Sequence, residues 1–264
     1  MIRRPPRSTR KESSAASDVY KRQAHMPPIP MRACFFANSG GGKTNLIVSL
    51  LTNPKLFGGN IFDAVWVISP SVKVDSTWEH LRAYRAKRGQ GGDEFFMDSL
   101  DEDKVKDILE EGVKMTEYHK KRQKEGNGTR YATSTLLVVD DMASEYHILH
   151  ANGSSLLNSM FIKIRHQNQS IWVASQRPSL VSSTIRTQMS ALFIFRQRNV
   201  KDLITFLDEF SAMVDKKTLM EIYNIATEQK YNFLYINLLA DDADHMFYWN
   251  LDKRVIVSQL VDQT

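Results

Sequence analysis

The sequence contains a single cysteine, Cys34, and no apolar run long enough to cross a lipid bilayer. One cysteine excludes an internal disulfide and a cysteine-based zinc site, and this scarcity is typical of proteins in a reducing compartment. A membrane-spanning helix needs about 20 consecutive apolar residues, so we expect no membrane partner. The sequence therefore predicts a soluble intracellular protein.

The sequence also lacks net charge once its first 23 residues are set aside. Residues 1–23 carry seven of the 35 Lys and Arg residues and two of the 30 Asp and Glu residues, so they account for the whole formal charge of +5. They show no helical or strand periodicity and resemble translated sequencing-adapter sequence. We predict a non-native or disordered leader over residues 1–23 and a single domain over residues 24–264. A basic arm that binds nucleic acid is the alternative.

Short apolar runs alternate with amphipathic stretches from residue 31 onward. Runs such as TLLVV (135–139) are apolar throughout, which is typical of parallel strands covered by helices on both faces. The alternation predicts an α/β fold with a mostly parallel, doubly wound sheet. The predicted strands are 31–36, 64–68, 135–139, 171–175, 192–195 and 233–238, with an edge strand from HMFYWNL (245–251); the predicted helices are 43–51, 101–124, 156–165, 200–210 and 216–227.

A glycine-rich loop between the first predicted strand and helix has the pattern A-x4-G-K-T. Such a loop turns its backbone N–H groups toward a phosphate chain at a helix N-terminus, and glycines allow the φ > 0 conformations this requires. Lys43 would reach the β- and γ-phosphates, and the Thr44 hydroxyl would coordinate Mg²⁺. A glycine-rich turn with a chance lysine is the alternative. The predicted nucleotide-binding residues are Ala37, Asn38, Ser39, Gly40, Gly41, Gly42, Lys43, Thr44 and Asn45.

Two acids end the apolar strand 135–139. Asp140 is the predicted magnesium ligand, together with Thr44, and Asp141 is the predicted base that deprotonates the attacking water. Strands also end in Asp where the residue caps a helix. The acid pair therefore indicates a metal and catalytic site only in combination with the glycine-rich loop. The next strand ends in Gln176, which we predict to lie between the two nucleotide motifs and to sense the γ-phosphate. The alternative is a glutamine that merely begins a loop.

Four segments resemble a known family when they are taken together and in this order: NSGGGKTNLI (38–47), LLVVDDM (136–142), FIKIRHQNQSIWVASQ (161–176) and TIRTQMSALFIFR (184–196). They resemble the genome-packaging ATPases of large double-stranded DNA viruses, of which the poxvirus packaging protein is the best-known type. This family is related to the bacterial chromosome-pumping motors. The resemblance covers about residues 30–250.

The resemblance implies a P-loop NTPase with an inserted strand between the two nucleotide-motif strands. It implies a homo-oligomeric ring that uses ATP and Mg²⁺ to thread double-stranded DNA into a viral capsid, in the host cytoplasm or the virion. It assigns catalysis to Lys43, Asp141 and Gln176. It also offers Arg165 and Arg186 as arginines that act on a neighbouring subunit's nucleotide, with local salt bridges as the alternative.

Two basic clusters, residues 80–92 and 119–130, are candidates for DNA contact because phosphate neutralisation needs such cations. Solvated helix surfaces are the alternative for both. Two other functions fit the motifs: a plasmid-transfer or helicase-type motor ATPase, and a nucleotide-gated assembly scaffold without turnover. The acid pair at Asp140 and Asp141 disfavours the scaffold.

Overall fold

The computed structural model describes residues 26–58, 61–126, 134–141 and 156–258. The predicted leader at residues 1–23 lies outside these ranges. The strands are β1 (Arg32–Phe36), β2 (Phe62–Ile68), β3 (Phe96–Met97), β4 (Ser134–Asp140), β5 (Gln169–Ser175), β6 (Ala191–Phe195), β7 (Phe233–Asn237), β8 (Phe247–Trp249) and β9 (Lys253–Arg254). The helices are α1 (Lys43–Thr52), α2 (Ser76–Ala86), α3 (Glu102–Lys124), α4 (Leu156–Lys163), α5 (Ser183–Gln188), α6 (Val200–Phe210) and α7 (Lys216–Ala226).

Within the described ranges the strands form one nine-stranded sheet, in the order β3-β2-β4-β5-β1-β6-β7-β8-β9. The pairs from β3 to β6 are parallel, whereas β7, β8 and β9 are joined by antiparallel pairing. Strand β5 lies between β1, which leads into the glycine-rich loop, and β4, which ends in Asp140. The predicted mostly parallel sheet and its inserted strand are therefore confirmed.

Helices cover both faces of this sheet, which explains why the central strands β1, β4, β5 and β6 are buried along their whole length. Alternate residues of a strand point to opposite faces, and in β1 all of them are buried. Ala33 and Phe35 belong to the core that α1 and α2 complete. Cys34 and Phe36 belong to the core that α3 to α7 complete. The fold is thus doubly wound, and β1 is held from both sides where it delivers the loop.

The structure differs from the predicted elements at the sheet edges. Helix α2 was not predicted, because in its 11 residues only Trp78, Leu81 and Arg85 are buried, too few for a clear apolar stripe. The segment HMFYWNL forms β8, but it is not the edge strand: β9 pairs with its outer side. Strand β9 is two exposed basic residues, so it has no apolar pattern to read.

Helices α4 and α3 test the predicted helix bounds and the expected absence of a membrane-spanning helix. Helix α4 ends at Lys163, two residues earlier than predicted, and continues as a 3₁₀ turn over Ile164–Gln167. Helix α3 has 23 residues, but its sequence is strongly charged. None of the helices in the part of the chain that the structure describes is both long and apolar enough to cross a membrane.

Candidate nucleotide site

The glycine-rich loop lies where β1 ends and α1 begins, as the motif requires. Gly40 and Gly42 adopt φ values of 68° and 103°, which side chains other than glycine's strongly disfavour. A Cβ atom at Gly41 would lie 2.9 Å from the Cβ atom of Ala37. Ala37 is fully buried, so a small residue is needed at the first position, and alanine meets that need.

Lys43 is held over this loop by the chain itself. Its ammonium donates a hydrogen bond to the Ala37 carbonyl oxygen at 3.0 Å, and the residue is 7% exposed. The positive charge therefore lies within the loop at the start of α1, where the helix dipole also favours an anion. Asn45, two residues further on, is exposed and lines a groove of about 550 Å³ between α1 and α2.

Asp140 ends β4 in a buried position beside the loop. The Thr44 hydroxyl donates to its Oδ2 atom at 3.2 Å, whereas its Oδ1 atom is buried without a hydrogen-bond partner among the described residues. Burial raises the pKa of this carboxyl to about 6, Lys43 opposes that shift and Asp141 adds to it. A buried carboxylate oxygen without a partner, next to a hydroxyl, fits the oxygen ligands that Mg²⁺ takes from a protein.

Asp141 and Gln176 meet at the carboxyl ends of neighbouring strands. The Gln176 Nε2 atom lies 2.9 Å from both carboxylate oxygens of Asp141. Asp141 has a φ of 52°, a left-handed conformation that Asp tolerates better than most residues, and its N–H donates to the Ala174 carbonyl at 3.0 Å. The insertion of β5 beside β4 thus brings together two predicted site residues 35 positions apart.

The segment after β6 holds the loop in place, although none of its residues is among the predicted site residues. The Asn38 side chain donates to the Arg196 carbonyl at 2.7 Å. The Gln197 side chain donates to the Phe36 carbonyl at 3.2 Å, and its backbone N–H donates to the Tyr223 hydroxyl at 2.6 Å. These bonds tie the loop to the strand on its other side. No short motif marks such contacts, because the bonds from Asn38 and to Phe36 join residues 158 and 161 positions apart.

Arg186 does not stand free as a residue available to a neighbouring subunit. Its Nε atom bonds to the Glu209 carboxylate at 2.8 Å, and its Nη1 atom donates to the carbonyls of Pro178 and Val181. The alternative of a local salt bridge therefore describes Arg186 in this structure, whereas its action on a neighbouring subunit's nucleotide stays a prediction. Arg165 lies in the turn after α4, but its side chain is outside the described part of the chain.

The first basic cluster, residues 80–92, is partly structural. Arg85 is buried and donates to the backbone carbonyls of Phe62 and Asp63. Arg82 pairs with Asp93 at 2.9 Å and lies over the Phe96 ring. Both guanidinium groups are thus engaged within the chain, which leaves Lys87 and Arg88 as the exposed cations of this cluster.

The sequence has little detectable similarity to known proteins. No family model matches the chain. An uncharacterised protein, 075L of Invertebrate iridescent virus 6, is 25% identical over 164 residues, a region that covers 60% of this chain and 58% of that protein. The chain therefore matches little more than half the length of this relative.

Comparison at the level of structure identifies the fold. ATPases 2 and 3 of EssC from Geobacillus thermodenitrificans superpose with a TM-score of 0.51 at 10% identity, over 86% of this chain and 40% of that one. The genome packaging NTPase B204 of Sulfolobus turreted icosahedral virus 2, in complex with AMP, superposes with a TM-score of 0.48 at 13% identity, over 79% and 92% of the two chains. The chain has the fold of a P-loop NTPase.

Proposed function

We propose that this chain is a magnesium-dependent ATPase that works as a homo-oligomeric motor and moves double-stranded DNA into a viral capsid. The observation that carries the ATPase part is the convergence of the Thr44–Asp140 and Asp141–Gln176 pairs beside one glycine-rich loop. A loop that only bound phosphate would need neither pair.

The binding step follows from the loop. Backbone N–H groups at the start of α1 and the Lys43 ammonium would bind the phosphates of ATP, because both present positive charge at the same point. The Thr44 hydroxyl and the buried Oδ1 atom of Asp140, which has no partner within the described ranges, would hold Mg²⁺. When bound there, the ion neutralises charge that develops on the phosphates.

The hydrolytic step needs a base and a group that positions it. Asp141 would accept a proton from the water that attacks the γ-phosphorus, while the bond from that phosphorus to ADP breaks. Gln176 fixes the orientation of the Asp141 carboxylate through its amide N–H group. As a polar residue at the end of β5, it would also report the presence of the γ-phosphate to the loop that follows.

The finer parts of the proposal, DNA translocation and capsid packaging, rest on sequence. The four segments that resemble packaging ATPases contain the glycine-rich loop, the acid pair and Gln176. The 25% identity to a virus protein agrees with a viral origin. By the same resemblance, the protein would act at the virus assembly site or within the virion, and Arg165 is the remaining arginine proposed to act across subunits.

The experiment is an ATPase assay on the full chain, with and without Mg²⁺ and with and without duplex DNA. We expect magnesium-dependent turnover that duplex DNA accelerates several-fold, and no turnover in Lys43→Ala. Turnover that duplex DNA does not change would support the proposed ATPase activity and contradict the proposed DNA translocation. ATP binding without turnover would instead indicate a nucleotide-gated scaffold.

A further inference from the structure

An exposed tyrosine stands beside the glycine-rich loop, on the side opposite the acid pair. Tyr231 immediately precedes the residues that lead into β7 and is 56% exposed. Its φ is 71°, a conformation that costs energy for a bulky residue and that persists where the surrounding structure imposes it. An exposed aromatic ring held on a strained backbone is a feature that stability alone does not explain.

The sheet brings this tyrosine to the loop. Strand β7 runs antiparallel to β6, so Phe233 at the start of β7 faces Phe195 at the end of β6. A Cβ atom added to Gly42 would lie 3.4 Å from the Cδ1 atom of Tyr231 and 3.4 Å from the Cε1 atom of Phe195. The ring is therefore adjacent to the last loop residue before Lys43.

The segment that carries the ring is joined to the loop by a chain of contacts. The Asn38 side chain donates to the Arg196 carbonyl at 2.7 Å, and the Arg196 guanidinium donates to the Glu228 carbonyl at 3.5 Å. The Lys230 ammonium lies 4.8 Å from the centroid of the Tyr231 ring, which is within the range of a cation–π contact. The position of the ring is thus coupled to that of the loop.

The direction of a bound nucleotide follows from the order of the strands. The γ-phosphate end must meet Asp141 and Gln176, which lie at the ends of β4 and β5. The loop leaves β1, whose other neighbour is β6, followed by β7. The nucleoside end therefore leaves the loop toward β6 and β7, the side on which Tyr231 is exposed.

We propose that Tyr231 is the stacking platform for the base of the bound nucleoside triphosphate, and that it makes the site prefer a purine nucleotide over a bare polyphosphate. This inference rests on the proposed nucleotide binding. The ring provides an aromatic face that any purine can stack on, and the Lys230 ammonium adds positive charge beside it. The exposed loop before β7 thus forms the base end of the site whose γ-phosphate end lies at the half-buried Asp141 and Gln176.

The test measures the binding of Mg-ATP and of inorganic tripolyphosphate to the full chain by calorimetry. We expect Tyr231→Ala to weaken ATP binding by roughly tenfold, in keeping with the loss of one base–aromatic stack, and to leave tripolyphosphate binding unchanged. Tyr231→Phe keeps the ring and should bind ATP within about twofold of the unaltered chain. The positive φ strains tyrosine, phenylalanine and alanine alike, so the comparison isolates the ring.

Tyr118 offers a matched control. It is 55% exposed and has the Arg122 guanidinium over its ring at 5.7 Å, but it lies on α3. Tyr118→Ala should change neither affinity. Unchanged ATP binding in Tyr231→Ala would overturn the inference and leave the proposed function standing. Equal loss of ATP and tripolyphosphate would also overturn it, since Tyr231 would then support the loop. So would a loss of self-association without a loss of ATP affinity.

If the unaltered chain bound neither ATP nor tripolyphosphate, the proposed function itself would fail. That result is distinct from every outcome that concerns Tyr231 alone, because it requires no substitution. The two hypotheses are therefore separated by the first titration in the series.

Discussion

On the β4–β5 side of the glycine-rich loop, Asp140 is buried and Asp141 is bonded to Gln176, whereas on the β6–β7 side Lys230 and Tyr231 face solvent. The first side holds its groups in fixed positions and at low dielectric, where charges interact strongly. The second side holds an aromatic ring on a surface segment. The two sides therefore suit different tasks: proton and metal chemistry requires the first, and recognition of a flat, neutral base needs only the second.

The buried side is also the costlier one to build. A buried carboxyl at the end of β4, whose Oδ1 atom has no hydrogen-bond partner among the described residues, loses the solvation that it had in the unfolded chain. Asp141 further departs from ordinary backbone geometry, with its φ of 52°. Such features are common at functional sites, where the surrounding structure maintains them.

The largest effect is expected from Asp141→Asn. The substitution keeps the size of the side chain and removes its capacity to take a proton, so turnover should fall by roughly 10²–10⁴-fold while ATP binding stays within a few-fold. Single-turnover hydrolysis and calorimetric binding measure the two effects separately. Asp98→Asn, at an exposed acid, is the control. Normal turnover in Asp141→Asn would remove Asp141 from the proposed mechanism.

The buried side could be read from the sequence because parallel strands place their carboxyl ends at one edge. An apolar strand that ends in Asp140 and another that is followed directly by Gln176 must bring these residues together, provided that the strands are neighbours. The inserted strand between the two nucleotide-motif strands followed from the resemblance, and the structure confirms it. The central helices were likewise predicted closely, since α6 and α7 have clear amphipathic patterns.

The exposed side could not be read in this way. Strand β7 reaches the loop through antiparallel pairing with β6, and nothing in the local pattern around Tyr231 indicates which strand lies beside it. The same reason applies to Arg186, whose partner Glu209 is 23 residues away on another helix. Long-range pairs of this kind depend on tertiary packing, whereas turn and strand signals are local.

A smaller effect is expected from Asp140→Asn in the absence of ATP, and it is a gain in stability where Asp141→Asn causes a loss of turnover. Burial raises the pKa of Asp140 from 3.8 to about 6, so the folded chain binds this proton more tightly than the unfolded chain. Stability is therefore favoured at low pH and declines as the carboxyl ionises between about pH 4 and pH 6. The full shift corresponds to about 3 kcal/mol.

The neutral asparagine avoids this penalty. We expect Asp140→Asn to raise the free energy of unfolding at pH 8 by up to about 3 kcal/mol and to leave it nearly unchanged at pH 3.5. Urea denaturation at both pH values measures the difference. Asp98→Asn serves again as control. The Lys73 hydrogen bond lowers the pKa of Asp98, so its neutral replacement should not stabilise the chain at pH 8. A variant less stable than the unaltered chain at pH 8 would contradict the account of Asp140.

The smallest effect is expected from Arg186→Ala, which tests whether a tightly held arginine belongs to the chemistry. Arg186 and Glu209 have side chains that are only 14% and 20% exposed, and their ion pair measures 2.8 Å. Removal of the guanidinium leaves a carboxylate in a largely enclosed position without its partner. The free energy of unfolding should fall by about 2 kcal/mol, and the double variant Arg186→Ala/Glu209→Ala should recover part of that loss.

Turnover separates this structural role from action across subunits. At a temperature well below unfolding, Arg186→Ala should retain turnover within about tenfold, whereas loss of an arginine that acts on a neighbour's nucleotide lowers it by roughly 10³–10⁵-fold. The ATPase assay with duplex DNA and the denaturation curve are run on the same preparation. A thousandfold loss of turnover with unchanged stability would show that the Glu209 pair opens in the assembled protein. Arg186 would then join Asp141 and Gln176 in the chemistry, despite its local partner.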